Sequence, residues 1–312
     1  MSKSNLAFVF PGQGSQKIGM LAELAADNPT VEATFAEASE ALGYDLWDMI
    51  QNGDQEDINL TERTQPMLLA SSVAIWRLWG EKGGPMPSQF AGHSLGEWSA
   101  LVCAGSLDFA DAVKIVRSRG AYMQQAVPVG EGAMAAILGI ADDVIIAACD
   151  SARESGVVNA VNFNAPGQVV IAGSTAGVER AITICKEAGA KRAMALPVSA
   201  PFHTSFMRPA AEQLAELVQA TSFVSPTIPV IHNVTAQTEA DPKIIKSLML
   251  EQIYKPVMWV DCILALKAAG AEQFVECGPG RVLNGLTKRI DRDLTSFSSD
   301  DAASLDNALT SI

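Results

Sequence analysis

Histidine, basic residues and paired cysteines are all scarce in this chain of 312 residues. Lysine and arginine number 22 against 35 acidic residues, which gives a formal net charge of −13. Because nucleic acid is bound by basic surfaces, this balance argues against nucleic acid as a partner. No apolar run approaches the roughly 18 residues of a membrane-spanning helix, so we expect no membrane partner. The apolar start LAFVF (6–10) is cut short by PGQG, too early for a secretory signal, which predicts a cytoplasmic protein.

Cysteine pairs that could form a redox or metal motif are missing. The five cysteines are far apart in the chain and none belongs to a CxxC pair. We therefore expect reduced thiols packed in the core, and no metal site. Reduced thiols also fit a cytoplasmic location.

Strands, glycine-containing turns and helices alternate through the first third of the chain. LAFVF (6–10) and SQFAG (88–92) are predicted as buried strands, and helices are predicted over 20–42 and 64–83. This alternation predicts an α/β fold with a parallel sheet. Later, TIPVIHNV (227–234) is predicted as a strand. The serine- and aspartate-rich stretch after Arg292 is predicted as a solvated tail.

Between residues 130 and 198 the predicted order changes to strand, helix, strand, strand, helix, strand. The first helix is predicted to be capped by Asp142, and the second by a serine or threonine at its start. This order is the split βαβ, or ferredoxin-like, arrangement. We therefore predict a discontinuous main domain, residues 1–129 and 199–312, interrupted by a ferredoxin-like insertion domain, residues 130–198.

The stretch Gly92-His93-Ser94-Leu95-Gly96 matches G-x-S-x-G between a predicted strand and a predicted helix. Glycines on both sides of Ser94 relieve the crowding of a sharp strand-to-helix turn. Two interpretations stay open at this point. Ser94 is either a helix N-cap or a nucleophile whose oxyanion is stabilised by the N–H of Leu95.

A serine nucleophile needs a base, and the chain offers three histidines. His93 adjoins Ser94, and neighbouring side chains in a tight turn point apart, so we expect it to pack or hydrogen-bond beneath the turn. His232 lies in a strand pattern, which favours a structural role. His203 follows a predicted strand in a proline-broken loop, where the sites of α/β proteins gather. His203 is therefore the predicted base.

The loop PGQGSQ (11–16) resembles a phosphate cradle only superficially. It lacks the GK[ST] ending of a P-loop and the third glycine of GxGxxG. Backbone N–H groups at the end of a strand, next to the Ser94 turn, fit half of an oxyanion hole better.

These segments resemble a known family when they are taken together. FVFPGQGSQ, TQPMLLASSVAIW, AGHSLGEWSALVCAG, VRSRGAYMQ, VNFNAPGQVVIAG, PVSAPFH, LEQIYKPVMW and VECGPGRVL occur in this order. They resemble the acyltransferase family of fatty acid and polyketide synthesis, which includes the bacterial malonyl-CoA:acyl carrier protein transacylases. The resemblance covers roughly residues 6–290. It implies an α/β-hydrolase-like catalytic core with a ferredoxin-like insertion, and it implies no cofactor.

The reaction implied by the resemblance is a two-step acyl transfer. A malonyl group moves from malonyl-CoA to the phosphopantetheine thiol of acyl carrier protein through a malonyl-serine intermediate. Ser94 would be the nucleophile and His203 the general base, with the N–H groups of Gln13 and Leu95 as the oxyanion hole. The main-chain carbonyl of Gln252 would orient the histidine in place of an acid.

Two further residues acquire roles through the resemblance. Arg119 would bind the malonyl carboxylate, which suits a guanidinium because its planar fork meets a carboxylate bidentately. Without the family, neither Arg119 nor Arg117 differs from an ordinary residue on a helix surface. Phe202 would favour malonyl over branched acyl groups, since a bulky ring leaves no room for a substituent at the α-carbon.

Acyl carrier proteins are acidic, and so is this chain, so docking requires a local basic patch. The candidates for this patch are Lys191, Arg192, Lys288 and Arg289.

Two alternatives to an acyltransferase stay open. A serine esterase or thioesterase usually places an acid between serine and histidine in the chain. Asp108, Asp111, Asp142 and Asp143 occupy that interval. The second alternative is a non-catalytic carrier-binding module, which the presence of both Ser94 and His203 disfavours.

Overall fold

The strands form two separate sheets. The computed structural model describes residues 2–198 and 200–312; Met1 and Ser199, where the two predicted main-domain segments begin, lie outside the described residues. In chain order, the strands are β1 (Ser2–Phe10), β2 (Met86–Gly92), β3 (Gly132–Leu138), β4 (Val158–Ala165), β5 (Gln168–Ser174), β6 (Arg192–Ala195), β7 (Val230–Ile231), β8 (Gln273–Glu276) and β9 (Thr295–Ser298).

The first sheet is parallel and has β1 at its centre. Its strand order is β7-β2-β1-β8-β9, and every neighbouring pair is parallel. Phe8 and Phe10 pack into the larger core on one face, whereas Ala7 and Val9 pack into a second core on the other face. Coverage on both faces explains why LAFVF is continuously apolar. The predicted α/β class with a parallel sheet is confirmed.

Helices cover both faces of this sheet and supply the other layers of the molecule. In chain order, the α-helices are α1 (Ala22–Asp27), α2 (Pro29–Leu42), α3 (Leu46–Asn52), α4 (Gln55–Ile58), α5 (Thr61–Glu81), α6 (Leu95–Cys103), α7 (Phe109–Gln125), α8 (Asp142–Ala152), α9 (Thr175–Glu187), α10 (Arg208–Ala220), α11 (Pro242–Glu251), α12 (Trp259–Ala268), α13 (Val282–Ile290) and α14 (Ala302–Ser311). In the described part of the chain, no helix is both long and apolar enough to cross a membrane. The five cysteines are buried free thiols, as expected.

The second sheet is antiparallel and is built from the segment between residues 132 and 195. Its strand order is β4-β5-β3-β6, and α8 and α9 supply the helices in the predicted sequence of elements. Ser174 caps α9 by accepting a hydrogen bond from the N–H of Gly177. The predicted Asp142 cap is wrong: α8 begins at Asp142 itself, and this carboxylate accepts from the N–H of Gly167. The division into two domains stays a prediction.

The stretch after Arg292 is not a solvated tail, so that prediction is wrong. Strand β9 pairs in parallel with β8 at the edge of the first sheet. Helix α14 follows, with a capping box between Asp301 and Ser304, and Leu305 and Ala308 are fully buried. An edge strand and a surface helix bury few side chains, and for this reason their composition looks polar.

Two other elements differ from the sequence prediction. The helix predicted over 20–42 is two helices, because Asn28 is extended and Pro29 starts α2. The strand predicted over 227–234 shrinks to Val230–Ile231. It lies at the edge of the sheet beside β2, where pairing is available on one side.

Candidate active site

The turn from β2 to α6, residues 92–96, is termed the elbow. Ser94 has φ 51° and ψ −106°, a conformation that L-residues rarely adopt. A Cβ at Gly92 would lie 1.9 Å from the carbonyl carbon of Gly96, and a Cβ at Gly96 would lie 2.0 Å from the oxygen of Phe10. Both positions therefore require glycine. Ser94 does occupy the N-cap position of α6, but within the described part of the chain its side chain makes no capping hydrogen bond, so capping is not what the hydroxyl does.

Ser94 and His203 lie side by side although 109 positions separate them. Ser94 Oγ is 2.9 Å from His203 Nε2, and His203 Nδ1 is 2.8 Å from the main-chain oxygen of Gln252. A carbonyl oxygen only accepts hydrogen bonds, so Nδ1 carries the proton and donates it. The lone pair of Nε2 then faces the hydroxyl of Ser94. His203 itself has φ 62°, so strained backbone holds both side chains.

The surroundings of His203 keep its imidazole neutral. Burial, and then the positive charge of Arg119, lower the pKa of His203 to about 3. A neutral ring with Nδ1 protonated is the form that accepts a proton at Nε2.

Arg119 extends from α7 into the same place and is 1% exposed. Its Nη1 donates to Gln65 Oε1 at 2.8 Å. Its Nη2 lies 2.9 Å from Gln252 Oε1 and 3.2 Å from Ser94 Oγ. Burial lowers the pKa of Arg119 to about 10, and Glu97 opposes that shift. The guanidinium therefore stays charged at neutral pH beside the serine. Arg117, on the same helix, is exposed.

These groups open onto a cavity of about 130 Å³, termed the active-site cavity. Gln13, Leu95 and Phe202 line it together with Ser94, His203 and Arg119. The loop after β1 is pressed against the elbow: the N–H of His93 donates to the oxygen of Phe10 at 2.9 Å, and a Cβ at Gly12 would meet the His93 oxygen at 2.6 Å. The two predicted oxyanion residues, Gln13 and Leu95, thus line the same cavity as Ser94.

The other two histidines are engaged away from the serine hydroxyl. His93 Nε2 is 2.7 Å from Asn164 Oδ1 on β4, and its ring packs 5.3 Å from that of Trp259. His232 is fully buried, with Nδ1 2.7 Å from Glu97 Oε1. Both agree with the packing and structural roles that the sequence suggested.

The acid that an esterase triad requires is not beside His203 in the described residues. The partner of Nδ1 is the Gln252 carbonyl. Asp108 instead caps α7, and Asp142 binds the N–H of Gly167.

The four predicted docking residues converge on one opening of about 670 Å³, termed the basic groove. Arg292, which was not among the predicted docking residues, lines it as well. Strands β3 and β4 run from the active-site cavity to the groove: Met134 on β3 and Asn162 on β4 line the cavity, while Leu138 at the end of β3 and Pro166 directly after β4 line the groove. From Met134 to Leu138 is four residues of strand, or roughly 13 Å, and this separates the groove from the active-site cavity.

Sequence reasoning missed three residues that hold the site together. Gln65 and Asn233 carry no motif, so nothing local could have selected them. Glu97 could have been found, because it lies three residues after Ser94 on the predicted helix and therefore beneath it. Across the described ranges, no group of three or more histidine, cysteine or acidic side chains is arranged to hold a metal ion.

Comparison with known proteins identifies the family. The family described as "Acyl transferase domain" matches residues 7–299. This chain belongs to the acyl transferase family. Among curated acyl transferases, the malonyl CoA-acyl carrier protein transacylase of Salmonella typhimurium is 54% identical over 307 residues, which cover 98% of this chain and 99% of the relative.

Solved acyl transferase structures share the fold over nearly the whole chain. An acyl carrier protein S-malonyltransferase from Vibrio cholerae is 56% identical with a TM-score of 0.95, covering 97% of this chain and 99% of that one. A malonyl-transacylase in complex with its type II PKS acyl-carrier protein is 52% identical with a TM-score of 0.97, covering 99% and 100%.

Proposed function

We propose that this acyl transferase moves a malonyl group from malonyl-CoA to the phosphopantetheine thiol of acyl carrier protein. One observation carries the proposal. A serine hydroxyl lies 2.9 Å from a histidine nitrogen and 3.2 Å from a buried guanidinium. The cavity therefore combines a nucleophile, a base and a cation that suits a carboxylate. The names of the relatives indicate the same reaction.

In the first half-reaction, Ser94 loses its proton to Nε2 of His203 while Oγ bonds to the thioester carbonyl carbon. The tetrahedral oxyanion then collapses, the C–S bond breaks, and His203 returns the proton to the departing sulfur. CoA leaves as a thiol, and a malonyl ester remains on Ser94.

In the second half-reaction the carrier thiol gives its proton to His203 and its sulfur attacks the ester carbonyl. Collapse of this intermediate breaks the C–O bond, and His203 returns the proton to Ser94 Oγ. Each half-reaction conserves protons within the site, and Ser94 and His203 supply all the acid–base and nucleophilic chemistry. The proposed reaction therefore needs no cofactor.

The N–H groups of Gln13 and Leu95 are the proposed oxyanion hole. Their places on the active-site cavity wall support this role, and Leu95 is the first residue of α6, where free N–H groups favour negative charge. Donors of this kind contribute on the order of 3 kcal/mol each to the transition state. The Gln252 carbonyl orients His203 by accepting the hydrogen bond from its Nδ1–H throughout.

Arg119 is the proposed site for the malonyl carboxylate, and Phe202 is the proposed limit on the size of the acyl group. Arg119 suits the role because it is buried and charged, so it attracts a carboxylate strongly. Phe202 lines the active-site cavity and is 8% exposed. Its ring therefore occupies space that a branched acyl group would need.

The basic groove is the proposed docking site for acyl carrier protein. Lys191, Arg192, Lys288 and Arg289 supply positive charge on a molecule with a net charge of −13. The groove lies at the far end of β3 and β4, so a long flexible arm could follow these strands to Ser94. We also place the reaction in the cytoplasm, which five buried free thiols support.

The decisive experiment replaces Ser94 by alanine and measures intact protein mass after incubation with malonyl-CoA. The unchanged chain should gain one malonyl group and lose it when holo acyl carrier protein is added. Ser94→Ala should gain nothing. Ser99→Ala is the matched control, because Ser99 lies on the same helix, is buried, and has no hydrogen-bond partner for its hydroxyl among the described residues. Full labelling of Ser94→Ala would disprove the assignment.

A further inference from the structure

A carboxylate lies directly beneath the elbow. Glu97 is 1% exposed and follows Ser94 by three residues, so it occupies the next turn of α6. Its backbone N–H donates to the Ser94 carbonyl at 3.1 Å. A buried carboxylate is costly unless hydrogen bonds and a counter-charge compensate it. Its partners therefore show what the carboxylate does.

The Glu97 carboxylate joins its own helix, α6, to two segments that are far from it in the chain. Oε2 accepts from the backbone N–H of Asn233 at 3.1 Å and from Nε2 of Gln252 at 2.7 Å. Oε1 lies 2.7 Å from Nδ1 of His232. Both oxygens are thus occupied by groups from the segment after β7 and from the end of α11.

Asn233 carries the effect of Glu97 to the elbow. Its Oδ1 accepts from the N–H of Ser94 at 2.8 Å, and its Nδ2 donates to the oxygen of Gly92 at 2.7 Å. These two bonds clamp the strained turn on both sides of His93. Backbone strain of this kind persists only where surrounding contacts enforce it.

Gln252 carries the effect of Glu97 to His203 and Arg119. Its main-chain oxygen accepts from His203 Nδ1 at 2.8 Å, and its Oε1 accepts from Arg119 Nη2 at 2.9 Å. Its Nε2 donates to the Ser94 carbonyl at 2.8 Å as well as to Glu97. The carboxylate shares in orienting this amide, because Nε2 is its donor and must face both Oε2 of Glu97 and the Ser94 carbonyl, which leaves Oε1 facing Arg119.

Charge supports the same arrangement. Arg119 is a buried cation, and Glu97 is a buried carboxylate whose charge acts on it. The Gln252 amide lies between them and hydrogen-bonds to both. Glu97 raises the pKa of Arg119 against the effect of burial. The pair is therefore internally compensated before any substrate carboxylate arrives.

We infer that Glu97 is a positioning residue that acts through Asn233 and Gln252 to hold Ser94, His203 and Arg119 in reactive geometry. The inference rests on the proposed function, since it concerns the acylation of Ser94. Glu97 touches no reacting atom, so it is not a catalytic residue.

The test is Glu97→Gln, with acylation of the enzyme by malonyl-CoA and by acetyl-CoA followed by rapid quench and intact mass. Glutamine keeps the size of the side chain but offers one acceptor oxygen where donors converge on two. The amplitude reports the fraction of correctly folded sites, and the rate constant reports the geometry of each site. We expect a near-full amplitude with a rate constant lowered roughly ten- to a hundredfold for both acyl groups.

Glu276→Gln is the matched control. Glu276 is also fully buried, and its carboxylate accepts from the N–H groups of Leu283 and Asn284, away from the cavity. The Glu276→Gln variant should lose stability in a similar way, while its acylation rate constant stays unchanged. Equal slowing in Glu276→Gln, or a lowered amplitude in Glu97→Gln without slowing, would assign Glu97 a structural role only and overturn the inference.

A second variant keeps the test decisive if Glu97→Gln does not fold. Asn233→Ala removes the clamp on the elbow and leaves Glu97 in place, so it should slow acylation by both thioesters. An unchanged rate constant would overturn the inference. Absence of acylation in the unchanged chain would instead disprove the proposed function, so the two failures are distinguishable.

Discussion

Replacing Arg119 by alanine should change which acyl group the enzyme prefers. The guanidinium has five N–H donors, and Gln65, Gln252 and Ser94 engage its two terminal nitrogens. Its Nε has no partner in the described part of the chain. The guanidinium therefore keeps a donor in excess of its three partners, so a substrate carboxylate need not displace an existing bond. Alanine removes that donor and the positive charge together.

The magnitude follows from the burial of the guanidinium. A hydrogen bond between charged partners contributes about 1.5–3 kcal/mol, and the loss should lie at the upper end because Arg119 is 1% exposed. A loss of about 3 kcal/mol lowers kcat/KM for malonyl-CoA roughly a hundredfold. Acetyl-CoA has no carboxylate, so its transfer should fall much less than that of malonyl-CoA. Arg119→Ala also removes the hydrogen bond to Gln252. That loss should slow both substrates by the same factor, so it does not change the ratio of malonyl to acetyl rates.

The assay compares rates of enzyme acylation by malonyl-CoA and acetyl-CoA at limiting concentration. Arg117→Ala is the control, because Arg117 lies on the same helix but is exposed, and its malonyl-to-acetyl ratio should equal that of the unchanged chain. An equal loss for both substrates in Arg119→Ala would refute the carboxylate role and leave Arg119 as a partner of Ser94 and Gln252 only.

Two further predictions concern the base and the basic groove. The pKa of His203 is lowered from 6.5 to about 3, so the ring stays neutral on acidification. The acylation rate constant should therefore remain flat between about pH 5 and 8. A tenfold loss of this rate constant for each pH unit below 6.5 would contradict the prediction. Reversing the charge of Lys191, Arg192, Lys288 and Arg289 should slow transfer from malonyl-enzyme to holo acyl carrier protein about tenfold or more at low salt. Transfer to free pantetheine should not change. If the charge-reversed and unchanged enzymes transferred malonyl to the carrier protein at equal rates, the groove would be excluded as its docking site.

Local sequence pattern determined the fold class and the centre of the candidate site. The alternation of buried strands and amphipathic helices predicted the parallel sheet, because period and burial are read within a few residues. The glycines around Ser94 predicted the elbow, since only glycine tolerates the backbone contacts at positions 92 and 96. With three histidines in the chain, His203 followed by elimination.

Tertiary structure decided everything that depends on distant segments meeting. Arg117 and Arg119 are equivalent in the sequence, and only the packing of α7 buries one and exposes the other. Gln65, Asn233 and Gln252 reach the site from three separate segments, and no local pattern encodes such a meeting. The stretch after Arg292 looked solvated because an edge strand and a surface helix need few apolar residues to dock. Short-range periodicity thus specified the elements, whereas hydrogen bonds between segments 25 to more than 100 positions apart specified the site.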